Sequence, residues 1–353
     1  KWIIGRTKDE TIAGIGTIAR TFDGAGNLLT ENKYGVLTTY TYLPGGDIST
    51  ITDARTKTTG YLNYFRGIAR QENRPQAVTI NRVVDLTGTL ASETNGRGYT
   101  TGFTYDGLNR ITGIDFPTNA DVSVNWTQNS KVLTRGTYSE GVVLDGFGRS
   151  IQVNRQDSVL GSSIVTTSQY DALGNKVFAS YPNSTQGTTF SYDVIGRITR
   201  VDHPDGTFRK IVYLDPAGSG IETETNERGF VTKKLYRAFG NPDNRDLVRI
   251  DSPENVQTLI SRNLIGQINN VWQGQVNTSG YQRNYSYDTR RFLISRVDPE
   301  VGATIFGRDA VGNMISRKTG VLAQTNYVYD DLNRLTNIDY PGSTPDVLFA
   351  YDA

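Results

Sequence analysis

Asn326-Tyr-Val-Tyr329-Asp330-Asp-Leu-Asn333-Arg334-Leu335 decides the fold. Tyr and Val alternate with polar residues up to Asp330, the pattern of a strand with two different faces. An aspartate then opens a turn by accepting hydrogen bonds from backbone N–H groups just ahead of it. Asn333, three residues on, tolerates positive φ, as a type I turn followed by a G1 bulge requires. Arg334-Leu335 restarts an extended segment. Strand, tight reversal and strand within ten residues spell a β-hairpin.

The same phrase recurs as Tyr105-Asp106-Gly-Leu-Asn109-Arg110-Ile111 and Tyr192-Asp193-Val-Ile-Gly196-Arg197-Ile198. Looser copies are Phe22-Asp23-Gly-Ala-Gly26-Asn27-Leu28, Tyr170-Asp171-Ala-Leu-Gly174-Asn175-Lys176 and Arg308-Asp309-Ala-Val-Gly312-Asn313-Met314. With the Asp slot as register, sixteen copies fall at 23, 43, 64, 85, 106, 126, 145, 171, 193, 215, 237, 263, 288, 309, 330 and 352. Steps run from 19 to 26 residues, about 22 on average. The slot is Asp in eleven copies, and Gly or Asn stands three residues later in fourteen of fifteen complete copies, Arg291 being the exception. Such phasing marks a repeat array in which each unit is one supersecondary element. The turn pairs Asp23/Gly26, Asp106/Asn109, Asp171/Gly174, Asp193/Gly196, Asp309/Gly312 and Asp330/Asn333 are its structural residues.

Between slots lies a second reversal, often bearing Pro or Gly, as in His203-Pro-Asp-Gly206, Asp251-Ser-Pro253, Asp298-Pro-Glu and Tyr340-Pro-Gly342. Runs with apolar residues at helical spacing are absent. The expected fold is therefore all-β: tandem antiparallel hairpins over residues 1–353, a single array forming a continuous spiralling sheet or partial hollow shell. A single hairpin is marginal in water, so neighbouring hairpins must share ladders and bury a second face. Tyr or Phe precedes nine of the sixteen slots, which suggests an aromatic stripe across the sheet. Arg110, Arg149, Arg197 and Arg334 follow the Gly/Asn position, placed to stack on those rings or to pair with a neighbouring Asp.

Composition removes several function classes. Lys+Arg total 37 and Asp+Glu 36, so no global field draws nucleic acid or an anionic membrane. No apolar run reaches membrane-spanning length. With no Cys there is neither thiol nucleophile nor zinc–thiolate site, and one His leaves no imidazole pair for a metal. Cysteine-free chains rich in Thr, Asn, Gly and Tyr suit a secreted or cell-surface protein, with bacterial export expected. Lacking an initial Met or signal peptide, the chain reads as a piece of something longer.

The heptads around Asp193 and Asp330 resemble the YD repeat of the RHS superfamily, which includes bacterial Rhs proteins, the C components of insecticidal toxin complexes and the teneurin ectodomain. The likeness covers essentially the whole chain and is raggedest around 60–80, 125–145 and 240–265. It implies repeats that spiral into a hollow β-shell, which in bacterial members encloses a toxic C-terminal domain. The family's self-cleaving Asp-Pro-rich segment has no counterpart here, since Asp215-Pro and Asp298-Pro lie inside ordinary repeats, and no variable domain follows Tyr351. The resemblance thus implies wall without plug or cargo.

Each candidate site has a plainer reading. His203, beside Asp202 and Asp205, could do acid–base work, but the same residues spell a turn. Asn241-Pro-Asp-Asn-Arg-Asp246 offers oxygens for Ca²⁺, yet lacks the Gly and bidentate Glu of a calcium loop and carries Arg245 in its middle. Glu222 and Glu224, with Glu227 nearby, could form a glycosidase-like carboxylate pair, but exposed strand faces carry acids routinely. Trp2, Trp126 and Trp272 could stack on sugars, or simply pack on the sheet. Asn125, Asn183, Asn277 and Asn284 stand in Asn-x-Ser/Thr sequons, which matter only in a glycosylating host.

No catalytic, cofactor-binding or metal-binding residue is expected, and the chain reads as a non-enzymatic scaffold whose partners are an enclosed or appended toxin or effector domain, or other copies of the array. The alternative is an extracellular adhesin, glycan-binding or fibre-forming module that meets a cell-surface glycan. A glycosidase or lyase is the weakest reading, because no acid, base and nucleophile converge.

Overall fold

A computed structural model describes residues 6–215, 219–237 and 245–352. These form 32 strands of an open, all-antiparallel sheet, not closed into a barrel. Among the described residues there is no α-helix; one-turn 3₁₀ segments occur at Pro75–Ala77 and Pro253–Asn255. Both are reversals between strands, entered through a Pro whose fixed φ favours the turn. Substantial contacts between strands run only from each to the next in the chain.

The chain groups into two compact units, Lys1–Tyr99 with Thr258–Ala353, and Thr100–Gln257. In the second, fourteen strands from Thr100–Tyr105 to Asp246–Asp251 pair consecutively as one meander. The first holds two such meanders, from Asp9–Ile12 to Leu90–Thr94 and from Ile268–Gln275 to Val347–Leu348.

Successive reversals fall on opposite edges of a meander, here called the slot edge and the return edge. Within the first unit the return edge of the N-terminal meander lies against the slot edge of the C-terminal one. Arg55 Nη1 donates to the Asp330 carbonyl (3.0 Å) and to Asn333 Oδ1 (2.6 Å). Lys57 Nζ meets Asp331 Oδ1 at 2.8 Å, and Arg97 Nη1 meets Asp352 Oδ2 at 2.7 Å. Arg334 Nη2 donates to Gln76 Oε1 (3.1 Å), while the Arg291 guanidinium lies 5.7 Å from the Tyr34 ring centre. Tyr34, Arg55, Gln76 and Arg97 are 21 residues apart, one per return turn, so the contact is made repeat by repeat.

The expectation of a well-buried second face is not met. Nine hydrophobic residues are buried among those described, and most strand positions are half-buried on both faces. The accessible surface is 21493 Å², against roughly 14,000 Å² for a compact monomer of this mass. With no second layer to pack on, cross-strand pairs carry more of the cohesion. Thr21–Thr30 and Thr41–Thr50 share hydroxyl bonds of 2.6 Å, and Arg20 and Glu31, register partners, meet at 2.8 Å. Buried Glu72 receives Arg74 (2.6 Å) and Arg82 (2.9 Å), and Arg82 also bonds its cross-strand partner Glu93.

Gly312 combines two demands for glycine: its φ is +101°, and a Cβ there would fall 2.6 Å from the Phe292 ring. At Gly206 (φ +84°) the surrounding space is empty. Gly206→Ala should therefore cost only the left-handed backbone penalty of about 1–2 kcal/mol. Gly312→Ala adds ring displacement and should lower the urea midpoint more; equal midpoints would show that the close approach is immaterial.

Candidate functional site

The recurring feature is the turn. Among the described residues fifteen five-residue reversals share one backbone pattern: the first N–H donates to the fifth carbonyl, and the fourth N–H to the first carbonyl. At Asp193 these bonds are 2.9 Å to Arg197 and 3.1 Å from Gly196. Ladder register slips by one residue beside the turn, between Ser191 and Tyr192, and Gly196 takes φ +82°, which is the geometry of a type I turn with a G1 bulge. Eleven of the fifteen open at slots; four stand on the return side, at Asp53, Asn95, His203 and Asn226.

The slot side chain adds a second layer of bonds. Asp171 Oδ1 accepts the N–H groups of Leu173 (2.9 Å) and Asn175 (2.8 Å), and Oδ2 accepts Asn175 Nδ2 (2.9 Å). Asp23 and Asp309 do the same with Asn27 and Asn313. At Asp106, Asp193 and Asp330 the fifth residue is Arg, whose Nε lies 2.6–2.7 Å from Oδ2. Asn109 and Asn333 hold positive φ, as Gly26, Gly174, Gly196 and Gly312 do. Leu43 shows that backbone bonds alone suffice for the reversal (2.8 and 2.9 Å).

A latch joins several of these turns to the next repeat. The hydroxyl of the Tyr before a slot donates to the carbonyl five residues past the preceding slot: Tyr42 to Leu28, Tyr170 to Ser150, Tyr192 to Lys176, Tyr287 to Ile268 and Tyr351 to Leu335, all at 2.7–3.0 Å. The ring also receives the preceding turn's Arg. Arg149 lies 4.6 Å from the Tyr170 centre and Arg334 4.7 Å from Tyr351, while Arg197 lies 4.2 Å from Tyr213, a ring two residues before the Asp215 slot that makes no latch. One arginine thus ties its own Asp to the next repeat's ring, by charge on one side and cation–π attraction on the other.

The latch corrects the register at two copies. Tyr64 donates to Ile48 and the Trp126 indole to Ile111, so both occupy the place before a slot, not the slot itself. The following turns are two-residue reversals. Phe65 and Ile68 exchange two 3.0 Å bonds around Arg66 and Gly67, both at positive φ, and Thr127 donates to Ser130 (2.8 Å). A shorter loop leaves no Asx position, which displaces the phase by one residue.

The sequence candidates for chemistry lie apart. His203 opens a return turn; its Nε2 is 3.4 Å from Glu227 Oε1 and its Nδ1 3.5 Å from Thr188 Oγ1. Asp202 pairs with Arg200, and Asp205 accepts the Thr207 N–H and hydroxyl. Glu227, the carboxylate that does face His203, comes from the return turn one repeat later. Glu222 and Glu224 share the ammonium of Lys234, at 2.9 and 3.7 Å. Trp126 lies between Arg110 (4.7 Å) and Lys131 (5.5 Å), and the Trp272 ring packs against Gly274 and Gly280 of its own hairpin. Asn183 spends its amide on Ser163 and Val165. Residues 241–244 and Trp2 lie outside the described residues. Among the described residues no three His, Cys, Asp or Glu side chains cluster as metal ligands, and no helix is long and apolar enough to cross a membrane.

Turn geometry sets the carboxylate acidities. The side chain of Asn175, and then backbone N–H groups, hold Asp171 below the usual carboxylate range. The backbone bond from Arg197, then its guanidinium, does so for Asp193, and Thr89 and Thr87 do so most strongly for Asp85. A carboxyl whose value is lowered by folding stabilises the fold above the unfolded value of about 3.9, and that contribution is lost as pH falls through the folded value. The melting temperature should therefore hold steady above about pH 5 and fall below about pH 4. The deficit of Asp171→Ala at neutral pH should shrink in acid; a deficit independent of pH would remove the carboxylate's role. Tyr287→Phe deletes one latch bond and should cost about 1 kcal/mol. Tyr281→Phe, at an exposed site on the same strand, should be silent in the same urea titration.

No family model matches the chain, and no curated protein matches it. Among solved structures it is similar to a TcdB2-TccC3 crystal structure at 11% identity and TM-score 0.36, over 91% of this chain and 28% of that one. A Photorhabdus luminescens Tc holotoxin pore gives 11% and 0.30, over 91% and 24%. A porin-like protein from Bacteroides uniformis gives 12% and 0.17, over 73% and 91%. The chain spans about a quarter of the length of the toxin-complex chains. Likenesses this remote say nothing about what the protein does.

Proposed function

We propose that this chain is a non-catalytic scaffold, a wall segment of an RHS-type shell that encloses or displays a toxin or other cargo, and that it works outside the cell that makes it. The observation that carries this reading is the turn-and-latch unit, repeated from Tyr42 to Tyr351. The motif residues it uses are those on which the likeness to the RHS superfamily rests, Asp193-Val-Ile-Gly196-Arg197 among them. A sheet half-exposed on both faces, with strands paired to their chain neighbours, supports a wall that separates two spaces. The candidate acids and bases support the non-enzymatic side of the reading, because each is held by a neighbour: Glu222 and Glu224 by Lys234, Asp202 by Arg200, Asp205 by Thr207.

A guest fused after residue 353 tests enclosure. An unfolded, trypsin-sensitive polypeptide in that position should be cut at least tenfold more slowly than the same polypeptide free, until urea unfolds the array. Cleavage at the free rate while the array stays intact would remove enclosure by this chain and leave display.

A further inference from the structure

At several slots an arginine bridges one slot turn to the next, always through the same two nitrogens. Arg149 Nε donates to its own slot carboxylate, Asp145 Oδ2 (2.7 Å), and its Nη1 to the carbonyl of the next slot, Asp171 (3.4 Å). Arg290 does so with Asp288 (3.0 Å) and Asp309 (2.7 Å), and Arg334 with Asp330 (2.7 Å) and Asp352 (2.8 Å). At the slot between those two, Asp309, the fifth residue is Asn313, whose short amide reaches Asp309 Oδ2 (2.9 Å) and Asn333 Oδ1 (2.8 Å). The guanidinium in this gap comes instead from Arg55, in the return turn that opens at Asp53 in the N-terminal meander. Its Nη1 donates to the Asp330 carbonyl (3.0 Å), and its Nε lies 3.7 Å from Asp309 Oδ2. Both nitrogens and both kinds of acceptor match those of the resident arginines. The side chains of Arg55 and Asp309 are each only 18% exposed, so solvent and salt screen this pair less than a surface one.

We propose that the gap between the Asp309 and Asp330 turns is a binding site for an arginine guanidinium, and that Asn313 decides where along the slot edge the Arg55 turn enters. The gaps on either side are already held by Arg290 and Arg334. A second guanidinium arriving there would meet a like charge and find its acceptors spent. Asn313 carries no charge and leaves the Asp330 carbonyl and one side of the Asp309 carboxylate to an incoming side chain. Arginine is the residue such a place selects, because its planar fork can address a carboxylate and a carbonyl together, whereas an ammonium is a single point charge. The choice between Arg and Asn at the fifth turn position is thus an address: Arg seals a gap from within, and Asn opens it to an arginine from the facing return edge. One such opening fixes the register of the two meanders to within a repeat. This inference goes beyond the wall reading and stands whether or not the array holds cargo.

Thermal melting of the intact chain and its variants tests it. Arg55→Ala should lower the melting temperature, and Arg55→Lys should lower it nearly as far. Asn313→Arg alone should also lower it, because two guanidinium groups then contend for one gap. The double variant Arg55→Ala, Asn313→Arg should melt above Arg55→Ala, since a resident arginine now fills the place. The substitution at 313 therefore changes sign with the residue at 55, the mark of two groups that share a site. Losses that simply add would overturn the inference. A second measurement leaves position 313 untouched. Ethylguanidinium supplies the atoms that Arg55→Ala removes; at millimolar concentration it should restore most of that variant's loss and leave the wild type unmoved, while ethylammonium restores nothing. No recovery, or equal recovery with both cations, would overturn the inference as well.

Discussion

The structure depends on a five-residue reversal closed by two backbone hydrogen bonds, with a carboxylate collecting the N–H groups that such a tight turn leaves over. A hairpin reversal strands donors at its tip, and in a thin sheet no neighbouring layer can satisfy them. Asp171 does it locally, through Leu173 and Asn175. The bulge that follows restores the ladder with a fixed twist, so turns of one kind impose one handed progression from hairpin to hairpin. Cohesion then moves from burial, which is scarce, to bonds repeated at most copies.

The tyrosine latch is what makes neighbouring hairpins cooperative. A hydroxyl such as that of Tyr170 reaches back over a whole hairpin to Ser150, while Arg149 joins its own Asp145 to the same ring. Removing either member weakens a turn and its link together. An array held in this way approximates a one-dimensional chain of nearest-neighbour terms, in which stability accumulates along the sequence and not around a centre.

The hairpins were legible because Asp-x-x-Gly/Asn is a mechanism written in side chains. What was missed lacks such a signature. Tyr64 and Trp126 read as slots in the sequence because the turns after them open on Phe65 and Thr127 and not on an Asx residue, and only the latch geometry reveals the slip. The latch acceptors are carbonyls, which every residue owns. Arg291 takes φ +73° where Gly or Asn is usual, and its side chain is engaged with Tyr34, a contact between residues too distant in the chain to be read as a pair. The facing of His203 and Glu227 was hidden likewise, since it depends on return turns lying one repeat apart. Composition gave no warning that so few side chains would be buried, because 36% hydrophobic residues suits an ordinary globule.

Latch donor and acceptor keep constant places relative to their slots, one residue before and five residues after. Excising a stretch between two slots that both follow a latching tyrosine, as at Asp171 and Asp193, would bring a tyrosine from one copy over a carbonyl from another and leave that bond with a partner of the right kind. Duplicating such a stretch would do the same. Gene recombination can therefore lengthen or shorten this sheet in whole modules without unmatched hydrogen bonds at the join, whereas a cut at any other phase would strand a hydroxyl and a carbonyl at once. The 26-residue step from Asp145 to Asp171 shows where variation has been absorbed instead: in the strands, eight and nine residues long about a four-residue return loop, whose length the latch does not measure.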